Sequence, residues 1–167
     1  MKTVFNFLFL AVLAVFVTTS CSKWDNDSPI ERRDIVLTKV QQELLDHGNA
    51  FAVDLFREMC LEMDGDNVFI SPLSASLALS AVTNGAQGTT REAMKGVLGF
   101  KPYSADEMNT FYHHLVPALK EVDNTVKLQV ANAVWIEETF PVKSPFIQTL
   151  QHYYDASVTN LDFSDPG

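Results

Sequence analysis

Phe51, Leu55, Met59 and Met63 recur every four residues, with Val53, Phe56 and Cys60 widening the stripe. That period predicts an amphipathic helix over residues 48–63. Asp64-Gly65-Asp66-Asn67 closes it, since Gly and Asn readily adopt the left-handed conformation of a helix stop. After the short β-prone run Val68-Phe69-Ile70, Ser71 and Pro72 suit an N-cap and a first helical position. Residues 72–84 are apolar or small on nearly every face, which predicts a helix surrounded by protein. Gly85 to Gly88 break it, and Thr89-x-x-Glu92 predicts a capping box for a helix ending near Gly99. A second box, Ser104-x-x-Glu107, opens a helix with Met108, Phe111, Tyr112, Leu115 and Leu119 on one side.

Residues 126–136 alternate in their first half and are almost continuously apolar in their second. This predicts a long strand, half covered at one end and fully buried at the other. A short helix around Ser144–His152 and a strand around Ala156–Phe163 follow. Helices first and strands later give the α+β class, with the folded part beginning near residue 35. No internal repeat interrupts it.

Residues 1–20 form a separate block. Lys2 is its only charge, an apolar run extends from Val4 to Val17 with Asn6 as the one polar member, and Thr18, Thr19 and Ser20 lead into Cys21. This is the order of a secretory signal, and the run is shorter than the ~20 residues of a spanning helix. A cysteine after small residues resembles a bacterial lipoprotein signal, in which Cys21 is lipidated and becomes the mature N-terminus. A plain secretory signal with an incidental cysteine is the alternative, because Thr18 stands where such signals usually carry Leu. Residues 21–34 are polar and turn-rich, and read as a flexible tether. The expected location is therefore the outer membrane or cell surface, otherwise the periplasm or the extracellular space, with a membrane partner reached through Cys21.

The chain of 167 residues is 47% hydrophobic and carries 12 Phe, which supports a real core rather than disorder. A net charge of −9 with no basic stripe excludes nucleic acid as a partner. With Cys21 assigned to the leader, Cys60 is left alone and is expected to be a small core residue; it belongs to no disulfide framework or zinc spacing. His113 and His114 are adjacent on a helix, so their side chains diverge by about 100° and suit solvent better than one metal. His47 and His152 complete the histidines. No nucleophile elbow, zinc-protease motif, phosphate loop or dinucleotide fingerprint is present, so neither an enzyme nor a metal or other cofactor is expected.

Five blocks in sequence resemble the serpin family. They are Asn49-Ala-Phe-Ala-Val-Asp-Leu-Phe56; Asn67-Val-Phe-Ile-Ser-Pro-Leu-Ser74; Ala78-Leu-Ser-Ala-Val-Thr-Asn-Gly-Ala-Gln-Gly-Thr-Thr90; Leu128-Gln-Val-Ala-Asn-Ala-Val-Trp135; and Tyr153-Tyr-Asp-Ala156 with Leu161-Asp-Phe163. The resemblance implies the N-terminal part of a serpin domain over residues 35–167, with the family's helices A to E and two strands of its large central sheet. It further implies that the remaining strands, the hinge and the reactive-centre loop lie downstream of Gly167. The implied activity is suicide inhibition of a serine or cysteine endopeptidase: a protease acylated on the loop is carried across the molecule as the loop inserts into the sheet. A non-inhibitory serpin serving as a surface binding or chaperone-like protein is the other reading, which the hinge sequence would decide. The 167 residues alone are expected to be inactive.

By the same resemblance Ser71, Ser74 and Asn132 belong to the region beneath the sheet where strands part. Small hydroxyls and an amide suit that place because they exchange hydrogen bonds without stranding a group. Read from the residues alone, all three merely cap a helix or satisfy backbone, and none is a nucleophile.

Overall fold

A computed structural model describes residues 31–63 and 67–164. The leader, Cys21 and most of the tether lie outside the described residues, as does the Asp64-Gly65-Asp66 stop. The described chain runs through helices α1 (Lys39–Glu62), α2 (Pro72–Thr83), α3 (Gly88–Val97) and α4 (Ala105–Glu121), then strand β1 (Asn132–Glu137), helix α5 (Ser144–Tyr154) and strand β2 (Ala156–Leu161). Among the described residues no helix is long and apolar enough to cross a membrane.

Helix α1 begins nine residues before the expected 48, at a capping box in which Thr38 and Gln41 satisfy each other's backbone N–H groups. Its core side carries Leu44 and Phe51, with Leu55 packed alongside. Cys60 is exposed, against the expectation of a core residue. The reason is angular: Cys60 lies nine residues past Phe51, about two and a half turns, and so faces the opposite way. Val53 and Phe56 share that outward side and are exposed as well.

Ser71 caps α2 as expected, with Pro72 in the first turn. The helix buries Ser76, Leu77, Ser80, Ala81 and Thr83. It is not wrapped on every side, however: Ser74, Ala78 and Val82, spaced by four, form an exposed row among the described residues. Helix α3 also departs from expectation. Gln87 stands at its N-cap without a side-chain bond, and the predicted Thr89–Glu92 box does not form. The chain instead enters through Gly88 at φ +55°, a conformation that glycine adopts without Cβ strain, which places Thr89 inside the first turn. The guanidinium of Arg91 donates to the Ala86 carbonyl at 2.7 Å and fastens that turn.

The box at α4 forms as predicted: the Ser104 hydroxyl accepts from the Glu107 N–H, and the Glu107 carboxylate accepts from the Ser104 N–H at 2.7 Å. Hydrogen bonds from the Ser104 backbone, then from its hydroxyl, hold the Glu107 carboxyl below its ordinary range. Met108, Phe111, Tyr112 and Leu115 make α4 a principal wall of the core, against Leu77, Phe100 and Leu150.

Strands β1 and β2 pair in parallel, from Asn132 opposite Ala156 to Glu137 opposite Leu161, with α5 as the crossover. Strand β1 is shorter than the expected 126–136, because a ladder needs a neighbour and β2 offers six residues. Nor is its second half fully buried: Ile136 is buried while Trp135 is 60% exposed, so the pair is covered on one face. Strand β2 ends at Leu161 rather than Phe163.

Residues 31–33, within the expected tether, are docked. Arg32 bridges Asp123 in antiparallel fashion, and the Arg33 N–H donates to the Val122 carbonyl at 2.9 Å. Side-chain pairs Arg32–Asp123 at 3.7 Å and Arg33–Glu121 at 3.4 Å accompany them. Polarity marked these residues for solvent. What the composition did not reveal was the run of backbone donors and acceptors left open after α4.

Candidate functional site

The three residues singled out beneath the sheet occupy two places. Ser71 precedes α2 and Ser74 lies in its first turn. Their hydroxyl oxygens are 2.9 Å apart, and the Ser74 N–H donates weakly to Ser71 Oγ at 3.4 Å. Both serines are exposed. Asn132 opens β1, is half-buried, and its amide donates to the Tyr154 carbonyl at 2.6 Å. Among the described residues no hydrogen bond joins the serine pair to Asn132.

The Tyr154 end of that bond leads into a polar cluster inside the core. The Tyr154 hydroxyl donates to Asn109 Oδ1 at 2.8 Å. Asn109 and Asn84 exchange two amide bonds of 2.9 Å each, and Asn84 Nδ2 also donates to the Ser80 carbonyl at 3.0 Å. A continuous path of hydrogen bonds therefore runs from the start of β1, through the last residue of α5, to α4 and the end of α2. Burial pushes the Tyr154 phenol far above its ordinary range, with the Asn84 bond opposing. Tyr112 is raised in the same way, opposed by the hydroxyls of Ser76 and Ser80. Ser80 Oγ is fully buried and completes no bond of good geometry. Asp155 follows Tyr154 at φ +50°, turning the chain from α5 into β2, and its N–H closes the helix on Leu150 O.

Sequence reasoning missed Asn84 and Asn109. The available signal was Asn109 itself, a carboxamide set among Met108, Phe111 and Tyr112 on the core side of a helix, where an unpaired amide would be costly. His113 and His114 are exposed on α4 as expected; His113 stacks on His152 of α5, ring centroids 5.2 Å apart, and His114 Nδ1 lies 3.3 Å from Gln41 Oε1. Among the described residues no group of three or more His, Cys, Asp or Glu side chains is placed to hold a metal. Among the described residues, nothing at the base of the strands is set up as a nucleophile with a base. The chemistry available is exchange of neutral hydrogen bonds.

Helices leading into a parallel β-α-β pair, with a polar path at its base, define an α+β chain. The profile described as "Serpin (serine protease inhibitor)" matches residues 46–167, and the chain belongs to the serpin family. An uncharacterized serpin-like protein of Methanosarcina acetivorans is 37% identical over 118 residues, which are 70% of this chain and 28% of that protein. Human thyroxine-binding globulin, solved in complex with thyroxine, superposes with a TM-score of 0.68 at 26% identity, over 76% of this chain and 35% of that one. An Arabidopsis serpin in its native stressed conformation gives 0.66 at 28% identity, over 78% and 34%. The chain thus spans about a third of the length of the relatives it matches. The fold is the helical and two-strand portion of the serpin fold, as the residue blocks implied. The first of these relatives is from an archaeon, so the bacterial, lipoprotein-type origin expected from the leader is not established by them.

Proposed function

We propose that this chain is the N-terminal portion of an exported, lipid-anchored serpin of the bacterial lipoprotein type, which inhibits a serine or cysteine endopeptidase by inserting its cleaved loop into the central sheet. The observation that carries the reading is the placement of Asn132. It stands at the first residue of β1, tied by one short bond to the turn between α5 and β2. Parting or sliding of this strand breaks a neutral bond worth roughly 0.5–1.5 kcal/mol net, which a new backbone partner can replace. Ser71 and Ser74, satisfied by each other, are free to swap partners at similar cost. In this reading the three residues are positioning groups of the moving sheet; the protease supplies the nucleophile. Strain released on adding a strand drives the step.

The test uses a chain of full serpin length that contains these residues. Incubation with a panel of serine and cysteine proteases is expected to yield a denaturant-resistant complex on a gel. Cleavage of the loop without complex would instead support the second reading, a non-inhibitory binding protein, which the likeness to thyroxine-binding globulin favours. For the anchor, palmitate labelling is expected in the wild type and absent in Cys21→Ala. A Cys21→Ala chain that still labels and stays with membranes overturns it.

A further inference from the structure

A cavity of about 420 Å³ lies between the α2–α3 turn and the start of α5. Its volume falls in the range of small-molecule pockets. Phe140, Pro141, Pro145 and Phe146 give it flat apolar walls. The Phe146 ring lies so close to Gly85 that a Cβ there would come within 3.0 Å of it, so the bare glycine seats this wall. Phe140 leaves 66% of its surface in solvent, a ring with nothing described to cover it.

The polar groups of the pocket divide into spent and unspent. Asn84 is committed to Asn109 and Ser80, and the Thr149 hydroxyl donates to the Pro145 carbonyl. The Lys143 ammonium has no carboxylate partner among the described residues, and the Gln87 amide no hydrogen bond. Lys143 is also the N-cap of α5, which no side chain caps, so the aligned peptide dipoles add to its positive charge. A cation at the rim is a local exception on a chain of net charge −9.

We infer that this pocket binds a small planar aromatic carboxylate, its ring between the phenylalanine and proline walls and its carboxylate at Lys143 and Gln87. The site shares Asn84 with the polar path from the strand base, and its test does not depend on protease inhibition.

The test titrates indole-3-acetate and the uncharged indole-3-acetamide into a chain of full serpin length that contains these residues, followed by amide NMR. Saturable shifts confined to residues 84–87 and 140–149 are expected, with the acetate bound more tightly. Lys143→Gln should weaken the acetate about threefold, the worth of one exposed ion pair, and leave the acetamide unchanged. Phe140→Ala should weaken both about tenfold. Both residues are exposed, so neither change touches the core. The inference is overturned by an absence of saturation at millimolar probe, by shifts spread over other apolar surface, or by equal affinity for the two probes.

Discussion

Tyr154 is held at both ends, and the two ends can be separated by mutation. Its carbonyl receives the Asn132 amide, a backbone contact that no substitution at 154 removes directly. Its hydroxyl enters the Asn84–Asn109 cluster. Tyr154→Phe therefore deletes the 2.8 Å bond to Asn109 and the weaker 3.4 Å bond that the phenol accepts from Asn84, while Asn84 still serves Asn109 Oδ1, and the cost expected from urea unfolding is about 1–2 kcal/mol. Asn109→Leu should cost more, since it leaves the Asn84 amide and the phenol facing an apolar group. Equal midpoints for both variants and the parent would mean that the cluster contributes nothing. Glu107 gives a prediction in pH. Its folded value is depressed by Ser104, so the stabilisation is present above the ordinary carboxyl range near ~4.3 and disappears as pH falls through the lower folded value. The Ser104 amide resonance should titrate with a midpoint below that range, and a midpoint at or above it contradicts the capping geometry.

At the level of elements, α2 shows how far composition reaches. Its apolar and small residues gave the helix and its cap correctly, because Ser71-Pro72 is a local signal set by backbone hydrogen bonding. Which side faces the core was not legible, since a helix apolar all round has no preferred side until neighbours are placed. Leu77 is 1% exposed and Val82 is 48% exposed, five residues apart on the same helix. Leu77→Ala should cost about 2–5 kcal/mol and Val82→Ser under about 1 kcal/mol, read from denaturant midpoints. The length of β1 failed for a related reason. Alternation over residues 126–131 records which side of the chain is apolar, whereas a strand also needs a ladder partner, and β2 reaches back only to Asn132.

For the whole molecule, the order of elements and the α+β class were legible because residue blocks in sequence carried them. The candidate site was less so: Ser71, Ser74 and Asn132 were named, while Asn84, Asn109 and Tyr154, which tie Asn132 to the core, are joined across separations that no local pattern reveals. Trp135 and Phe69, the latter 99% exposed, leave apolar surface on the described part, and the outer edges of β1 and β2 have no strand partner among the described residues. Such edges pair with other chains, so residues 22–167 alone are expected to aggregate readily and to form no denaturant-resistant complex with any protease of the panel. Degradation agrees with this; a stable adduct refutes it.

The docking of residues 31–33 on the end of α4 gives the chain a point of attachment. A pull on the chain ahead of Glu31 is therefore borne first by the Val122 carbonyl and Asp123, at the opposite end of α4 from its capping box, rather than by β1 and β2.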